Sequence, residues 1–501
     1  NGTLDMQSEK GVGIYSTNYS TTNITGGTIK ASNGSVALYA DESTINISGG
    51  AFTIGNAGLL FYNYPSMGTG MGKLRMTGSA NVTVNSGGMA FYIEGGNASN
   101  IGTTLNNLVT SSNPGVNKLN IALNSGSNLI RWNNPSGGTL NLSTVSTVSS
   151  SIANVNVTGT GYNNLSISRG DLLIDENVTF AAGTTGNSYN GVEMSQSKVT
   201  LDTGKTITGT GQEQIGIAQI NYASGTINDV VITNNGTISL SGKKSTAIAL
   251  DYGVINNAGI INISSNGTAG EGSLGIFSAN GTNTTNSGTI NVSGTDSVAI
   301  YGANDFVPLT PASYGDRKIN ITHGGTINLA DANKNYGIYL ENTAVSQSDS
   351  KLTLASGSKI VMSDNGVTDR SIGISLKNST LTNNGGTVEV GVNGVGIYAE
   401  NSKVTGTGGV TKLHGKSVGY SLAENIDFNA AIGNVEFNGS NDVAAVFTIG
   451  DKTAGNTLVF NPGDITVTSA NGGKLTAGSI GIGRDLTFNN KIEIKAPTSG
   501  V

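Results

Sequence analysis

The chain has 501 residues, with 74 Gly, seven Pro, no Cys and only 12% charged residues, so any large core must be held without disulfides. A net charge of −6 and the absence of a dense Lys/Arg stripe argue against a nucleic-acid-binding surface. No run of 18 apolar residues occurs, which excludes a membrane-spanning helix within this sequence, and it opens at Asn1 without a basic n-region or apolar h-region.

In chain order, one short phrase returns: an aliphatic, a small residue, another aliphatic, an aromatic. It reads Val12-Gly13-Ile14-Tyr15, Val36-Ala37-Leu38-Tyr39 and Met89-Ala90-Phe91-Tyr92. Later copies are Leu274-Gly275-Ile276-Phe277, Val298-Ala299-Ile300-Tyr301, Tyr336-Gly337-Ile338-Tyr339 and Val395-Gly396-Ile397-Tyr398. Weaker echoes stand at Ile372-Gly373-Ile374, Val418-Gly419-Tyr420, Val443-Ala444-Ala445 and Ile480-Gly481-Ile482. Between third positions the close spacings are 24 (14 to 38), 24 (276 to 300), 23 (374 to 397) and 23 (397 to 420). A period in the twenties marks a solenoid, in which each repeat is one rung that cannot bury its apolar face alone.

A second phrase precedes the first: Gly27-Thr28-Ile29-Lys30, Gly236-Thr237-Ile238-Ser239, Gly288-Thr289-Ile290-Asn291, Gly325-Thr326-Ile327-Asn328 and Gly386-Thr387-Val388-Glu389. Both phrases alternate apolar and polar, as a strand with one buried face does. Asn, Gly, Ser and Asp clusters between them suit tight corners. Two or three short strands per rung, stacked, predict an all-β fold: a right-handed parallel β-helix solenoid with loop insertions, the hand following the usual parallel crossover. Outward Asn, Ser and Thr are expected to form ladders between rungs, and the stack to be a rod on the order of 100 Å long, at ~4.8 Å per rung. The whole of 1–501 reads as a single β-helix segment of a longer protein.

Irregular insertions are predicted near 55–80, 99–150 and 302–319, where the period fails. The first holds Leu59-Leu60-Phe61-Tyr62-Asn63-Tyr64-Pro65, and Tyr62 and Tyr64 are candidate ligand contacts or covers for a rung edge. The second holds Arg131 and Trp132, the only Trp, which can stack on a sugar or pack partly buried. The third holds Asp305, Phe306, Tyr314, Asp316 and Arg317, able to seat a sugar or cation on an exposed loop or to form a plain surface excursion. Outward tyrosines ending the phrase, such as Tyr15, Tyr39, Tyr301, Tyr339 and Tyr398, predict a stripe that either contacts ligand or stacks on itself.

Gly337-Ile338-Tyr339, Gly396-Ile397-Tyr398 and Gly288-Thr289-Ile290-Asn291-Val292 resemble repeats in the passengers of large type V autotransporter adhesins, fusobacterial ones of the RadD kind above all. The resemblance is clearest over 225–420. It implies a passenger anchored at the bacterial outer membrane through a C-terminal barrel missing from this sequence. It also implies a place on the cell surface and adhesion to glycans or proteins of partner bacteria or host cells.

Catalytic and metal motifs are not found. His323 and His414 lie 91 residues apart (323 to 414), outside any HExxH pattern, and read as exposed or turn histidines. Gly204-Lys205-Thr206 lacks the upstream Gly of a phosphate loop, the position being Val199. Asp171, Asp175 and Glu176 are the nearest to an acid pair, but neighbouring acids on a strand point to opposite faces, and a solvated corner is expected. The reading is therefore a non-enzymatic adhesin segment without cofactor or metal. The rivals are a non-binding β-helical spacer and a carbohydrate-active β-helix enzyme, which needs acids converging across rungs.

Overall fold

The computed structural model describes residues 2–63, 72–94, 109–124, 126–133, 139–143, 153–157, 163–168, 170–180, 189–195, 197–219, 229–265, 267–304, 318–330, 334–342, 350–364, 370–438, 443–450, 457–469, 474–480 and 492–495. They group into two compact units, Asn1–Ile232 and Thr233–Val501. Each unit is a parallel β-helix with three strands per rung.

In the first unit Thr3–Met6, Thr28–Ala31, Ala51–Ile54, Ala80–Val84, Leu119–Leu123 and Ala153–Val157 pair successively, all parallel. The strands that carry the repeated phrase form a second stack, with Val12–Ser16, Val36–Ala40, Leu59–Asn63, Met89–Glu94 and Asn128–Asn133 in register. A third stack runs through Thr21–Ile24, Thr44–Ile47, Lys73–Met76 and Val109–Ser111. Leu59–Asn63 and Asn128–Asn133, read from the sequence as parts of irregular stretches, are thus ordinary rung strands. Leu60 and Leu129 hid them by filling the small second position, and in the later strand Arg131 stands where the aromatic is expected.

The second unit repeats the plan. Thr237–Leu240, Ile260–Ser265, Thr289–Gly294, Thr326–Leu329 and Lys359–Met362 stack in parallel. Alongside run the phrase strands Thr246–Asp251, Leu274–Ala279, Val298–Asn304, Tyr336–Asn342 and Ile372–Lys377. Ile300 pairs directly with Ile338, so the long interval between them is one rung with added residues. Toward the C-terminus the strands of a rung follow one another without a gap, and Val395–Leu413 runs through corners at Asn401 (φ 47°) and Gly406 (φ 118°). Val418 pairs with Ala445 and Tyr420 with Phe447, so the register is two residues beyond the echo at Val443-Ala444-Ala445. In the rung after that the third position is Gly478, not Ile482. Tyr420 itself faces the core.

The phrase has a steric origin. Its first and third positions pair across rungs, while the second drops out of the register at a bend. That second residue points inward against the next rung: a Cβ on Gly275 would lie 2.5 Å from the Ala299 carbonyl oxygen, and one on Gly396 2.6 Å from that of Gly419. Gly or Ala stands there in most rungs, while Leu60 and Leu129 take the same position, both buried. The Gly before Thr-Ile is tighter, since a Cβ on Gly288 would stand 2.1 Å from the Gly259 oxygen and one on Gly325 2.0 Å from that of Gly288.

Inward Ile, Leu and Val columns fill the interior, among them Ile238, Ile261, Ile290 and Ile327. The core also holds polar ladders, which alternation alone does not predict. Asn234 donates to Asn257 (2.7 Å), Asn257 to Asn286 (2.6 Å) and Asn286 to His323 Nδ1 (3.0 Å), all fully or almost fully buried. Stacking identical amides satisfies each with its neighbour, which removes the penalty of an unpaired buried polar group. A second buried ladder links the backbone N–H of Ser245, Ser273, Ser297 and Asn335 to the side-chain oxygens of Ser273, Ser297, Asn335 and Ser371 at 2.9–3.1 Å. The expected outward ladder is present as well, through Ser239, Asn262, Asn291 and Asn328 at 2.8–2.9 Å.

His323 is a correction to the sequence reading. It is 0% exposed and ends the amide ladder. Accepting from Asn286 at Nδ1 places its proton on Nε2, which donates to the Lys359 carbonyl at 3.1 Å. Burial lowers its pKa and keeps the ring neutral.

Candidate functional site

The aromatic that closes the phrase lies on the outer face of both units. In the first, Tyr15, Tyr39, Tyr62 and Tyr92 stack with centroids 5.1, 5.5 and 5.3 Å apart and planes within 17–25°. Arg131 continues the column, its guanidinium 6.0 Å from the centre of the Tyr92 ring. Strands ~4.8 Å apart set the rings in offset stacks, so each inner ring turns its faces to its neighbours and offers ligands its edge. Tyr15 is 56% exposed, and the others are half-buried.

Among the predicted contacts, Tyr62 is therefore a member of the stack. Arg131 and Trp132 are not a joint site: alternation turns Arg131 outward and Trp132 inward, where it is 0% exposed and packs against Gly170. No sugar can stack on a tryptophan in that position. Tyr64, Asp305, Phe306, Tyr314, Asp316 and Arg317 lie outside the described residues.

In the second unit the same column runs Phe277, Tyr301, Tyr339, Ser375, Tyr398, Ser421. Tyr301 and Tyr339 stack at 5.2 Å, and Tyr336 flanks Tyr339 at 5.5 Å. Here the tyrosine hydroxyls donate to acids. Glu341, two residues beyond Tyr339 and on the same face, accepts from the Tyr339 hydroxyl at 2.8 Å and from the Tyr301 hydroxyl of the preceding rung. Tyr398 donates likewise to Glu400 at 3.0 Å. Burial, then the bond to Glu341 and its charge, raise the Tyr339 pKa. Burial, the bond to Glu400, and the charges of Glu400 and Glu424 push Tyr398 up to about 12. These phenols remain neutral donors across ordinary pH and hold the carboxylates in place. In the outer column Lys377 stands between Glu341 and Glu400. Two glutamates pinned by aromatic rings make a preset surface that accepts hydrogen bonds and presents ring edges.

A third cluster was not visible in the sequence because its members are 25 residues apart (364 to 389, 389 to 414). His414 Nδ1 is 2.7 Å from Asp364 Oδ2, and Nε2 is 3.3 Å from Glu389 Oε1. Lys412 and Glu436 pair beside it at 3.5 Å. A one-rung sequence separation is the signal that finds such neighbours. The two acids approach opposite edges of the ring and so cannot share a metal ion with it. Among the described residues no trio of His, Cys, Asp or Glu is poised around one point.

Asp175, from the predicted acid group, is a corner staple. Against the opposing effect of burial, it is held below the usual range by bonds from the Ser143 hydroxyl (2.6 Å), the Ser143 N–H (2.8 Å) and Asn141 (3.1 Å).

Residues 223–419 match the family model of the BigA third pectate lyase-like domain. The matched stretch is under half of the chain and contains the tyrosine–glutamate face and the His414 cluster. No curated protein matches the sequence significantly. Among solved structures, the Siphovirus 9NA tailspike receptor binding domain aligns at 10% identity over 97% of this chain and 72% of that one, with a TM-score of 0.25. The pectate lyase-like match accords with the rung architecture described above.

Proposed function

We propose that the chain is a passenger segment of a bacterial surface adhesin of the autotransporter kind. It contacts glycans or proteins on partner bacteria or host cells through the tyrosine–glutamate face of residues 233–501, and it does so without catalysis. In this reading a barrel lying outside the sequence anchors it at the outer membrane. The observation that carries the proposal is Glu341, fixed by two phenols on successive rungs of an outward face, with Tyr398 and Glu400 repeating the arrangement. Tyrosine is enriched where proteins meet partners, and the carboxylates it holds can accept hydrogen bonds from a ligand. The resemblance of the repeated phrases to adhesin passengers supports the same assignment.

The test is binding of the folded chain to whole bacteria and epithelial cells, compared with a Glu341→Gln/Glu400→Gln double variant. Saturable binding weakened in the double variant supports the proposal. Absence of binding to any surface favours the spacer reading.

One observation favours the enzymatic rival: Asp364 and Glu389 converge across rungs on His414. Release of reducing ends from a polysaccharide, abolished by Glu389→Gln, would establish it. Both acids are engaged with one histidine between them, which leaves neither aimed at a common substrate atom, so we rank it second.

A further inference from the structure

The phrase strands of the second unit turn two apolar columns outward. Beside the aromatics, the first phrase position runs from Leu274 through Tyr336 and Ile372 to Val418, all four partly exposed. Tyr336 stacks on Tyr339, so the two columns share one face. Together they make an apolar strip six rungs long, about 24 Å at ~4.8 Å per rung. A continuous apolar strip on a surface marks a place of association, whereas scattered apolar residues do not.

Charge of opposite sign borders the strip on its two long sides. On the entry side, two residues before the first position, stand Lys244, Asp296, Lys334, Arg370 and Lys416, four cations against one acid. On the exit side, two residues past the aromatic position, stand Asp251, Glu341, Lys377 and Glu400, three acids against one cation. Lys334 and Lys416 also have contacts within the chain. Lys244 and Asp251 are both exposed and lie seven residues apart on one rung (244 to 251).

A face that is positive along one side and negative along the other is complementary to itself. Two copies can meet face to face about a two-fold axis either parallel or perpendicular to the helix axis of the unit. The parallel axis exchanges the rims and keeps each rung level, which sets Lys244 against Asp251 of the second copy. The perpendicular axis sets like rims together, and like charges repel. In the parallel arrangement Arg370 meets Lys377, but Glu341 and Glu400 stand on the adjoining rungs. Rim to rim the face is roughly 20 Å wide at ~3.3 Å per residue and roughly 29 Å long, so about 600 Å² is covered per copy, near the ~800 Å² of a standard interface.

We propose that this face joins two copies of the chain, face to face with parallel helix axes, about a two-fold axis running along them. Pairing covers Glu341 and Glu400 and withholds them from another surface. That consequence rests on the cell-contact reading; the pairing itself does not.

The test is sedimentation velocity of the full chain at rising concentration, with circular dichroism to verify the fold of each variant. Ile372→Lys puts a charge in the middle of the strip at an outward position. Lys244→Glu turns two symmetry-related attractions into repulsions, and Lys244→Glu/Asp251→Lys exchanges the signs and restores the attraction. The expected result is a monomer–dimer equilibrium, abolished in Ile372→Lys, weakened about tenfold in Lys244→Glu and returned toward wild type in the double exchange. A chain that stays monomeric at every concentration overturns the proposal. So does a dimer indifferent to Ile372→Lys, or a double exchange no tighter than Lys244→Glu alone. Cell binding is measured separately, at concentrations where the chain is monomeric and against the Glu341→Gln/Glu400→Gln variant, so either assignment fails without the other.

Discussion

The same phrase position builds the outward aromatic column in both units, yet the columns differ in what they leave available. In the first, Tyr15 to Tyr92 form an unbroken stack closed by Arg131, and ring faces meet ring faces. In the second, Ser375 and Ser421 interrupt the column and Glu341 and Glu400 accept from its hydroxyls. A continuous stack is mainly cohesive; an interrupted one bordered by carboxylates holds polar groups in place for a partner. One repeated residue type therefore forms a continuous stack in one unit and donates to carboxylates in the other, although Asp41 and Glu94 of the first unit also stand two residues beyond Tyr39 and Tyr92.

The contrast can be broken from beneath. Trp132→Ala removes the largest fully buried side chain below the Arg131 end of the first column and is expected to destabilise that unit by about 3–5 kcal/mol, measured by denaturant unfolding. If Trp132→Ala is neutral, the packing described for that rung is wrong. Next, Tyr39→Leu removes two stacked contacts, an expected loss of about 1–3 kcal/mol, with cell binding unchanged. Glu341→Gln should do the opposite. Its stability loss is on the order of 1 kcal/mol, because the site is partly solvated, while cell binding falls clearly. Equal effects of both variants on binding would erase the distinction between the columns.

Two pH dependences sharpen it further. Tyr398 has a folded pKa raised to about 12, above the ordinary phenol value of 10. Its contribution to stability is whole below pH 10 and is lost as pH rises from 10 through 12. Absorbance titration of wild type against Tyr398→Phe should show one late-titrating phenol fewer. His323 behaves in the reverse sense. Its folded pKa is lowered from 6.5, so its contribution is whole above that value and declines as pH falls below it. Melting curves between pH 7 and 5 should show a fall that His323→Asn, which extends the amide ladder, reduces.

The rung and its two phrases were legible because period and alternation are local in sequence, and Val298-Ala299-Ile300-Tyr301 states both within four residues. The outward tyrosines followed from the same rule. Trp132 was read as accessible or only partly buried, since an isolated Trp in a stretch of broken period gives no sign of which face it takes. Leu60 concealed a rung by occupying the small position. His323 was misjudged for a related reason: its partner Asn286 lies 37 residues away in sequence (286 to 323) but one rung away in space. The Asp364–His414–Glu389 cluster escaped notice on the same ground.

Sequence alone determined the solenoid, its approximate period, the inward aliphatic columns and the lack of disulfides, since these follow from side-chain chemistry at fixed spacing along the chain. Tertiary structure decided which residues of different rungs stand side by side. Added residues such as those between Ile300 and Ile338 alter sequence distance without altering the stacking, so only the folded register brings Tyr301 to Glu341 or Asp364 to His414. Every candidate site in this protein is made across rungs, where hydrogen-bonded register rather than chain order sets the neighbours.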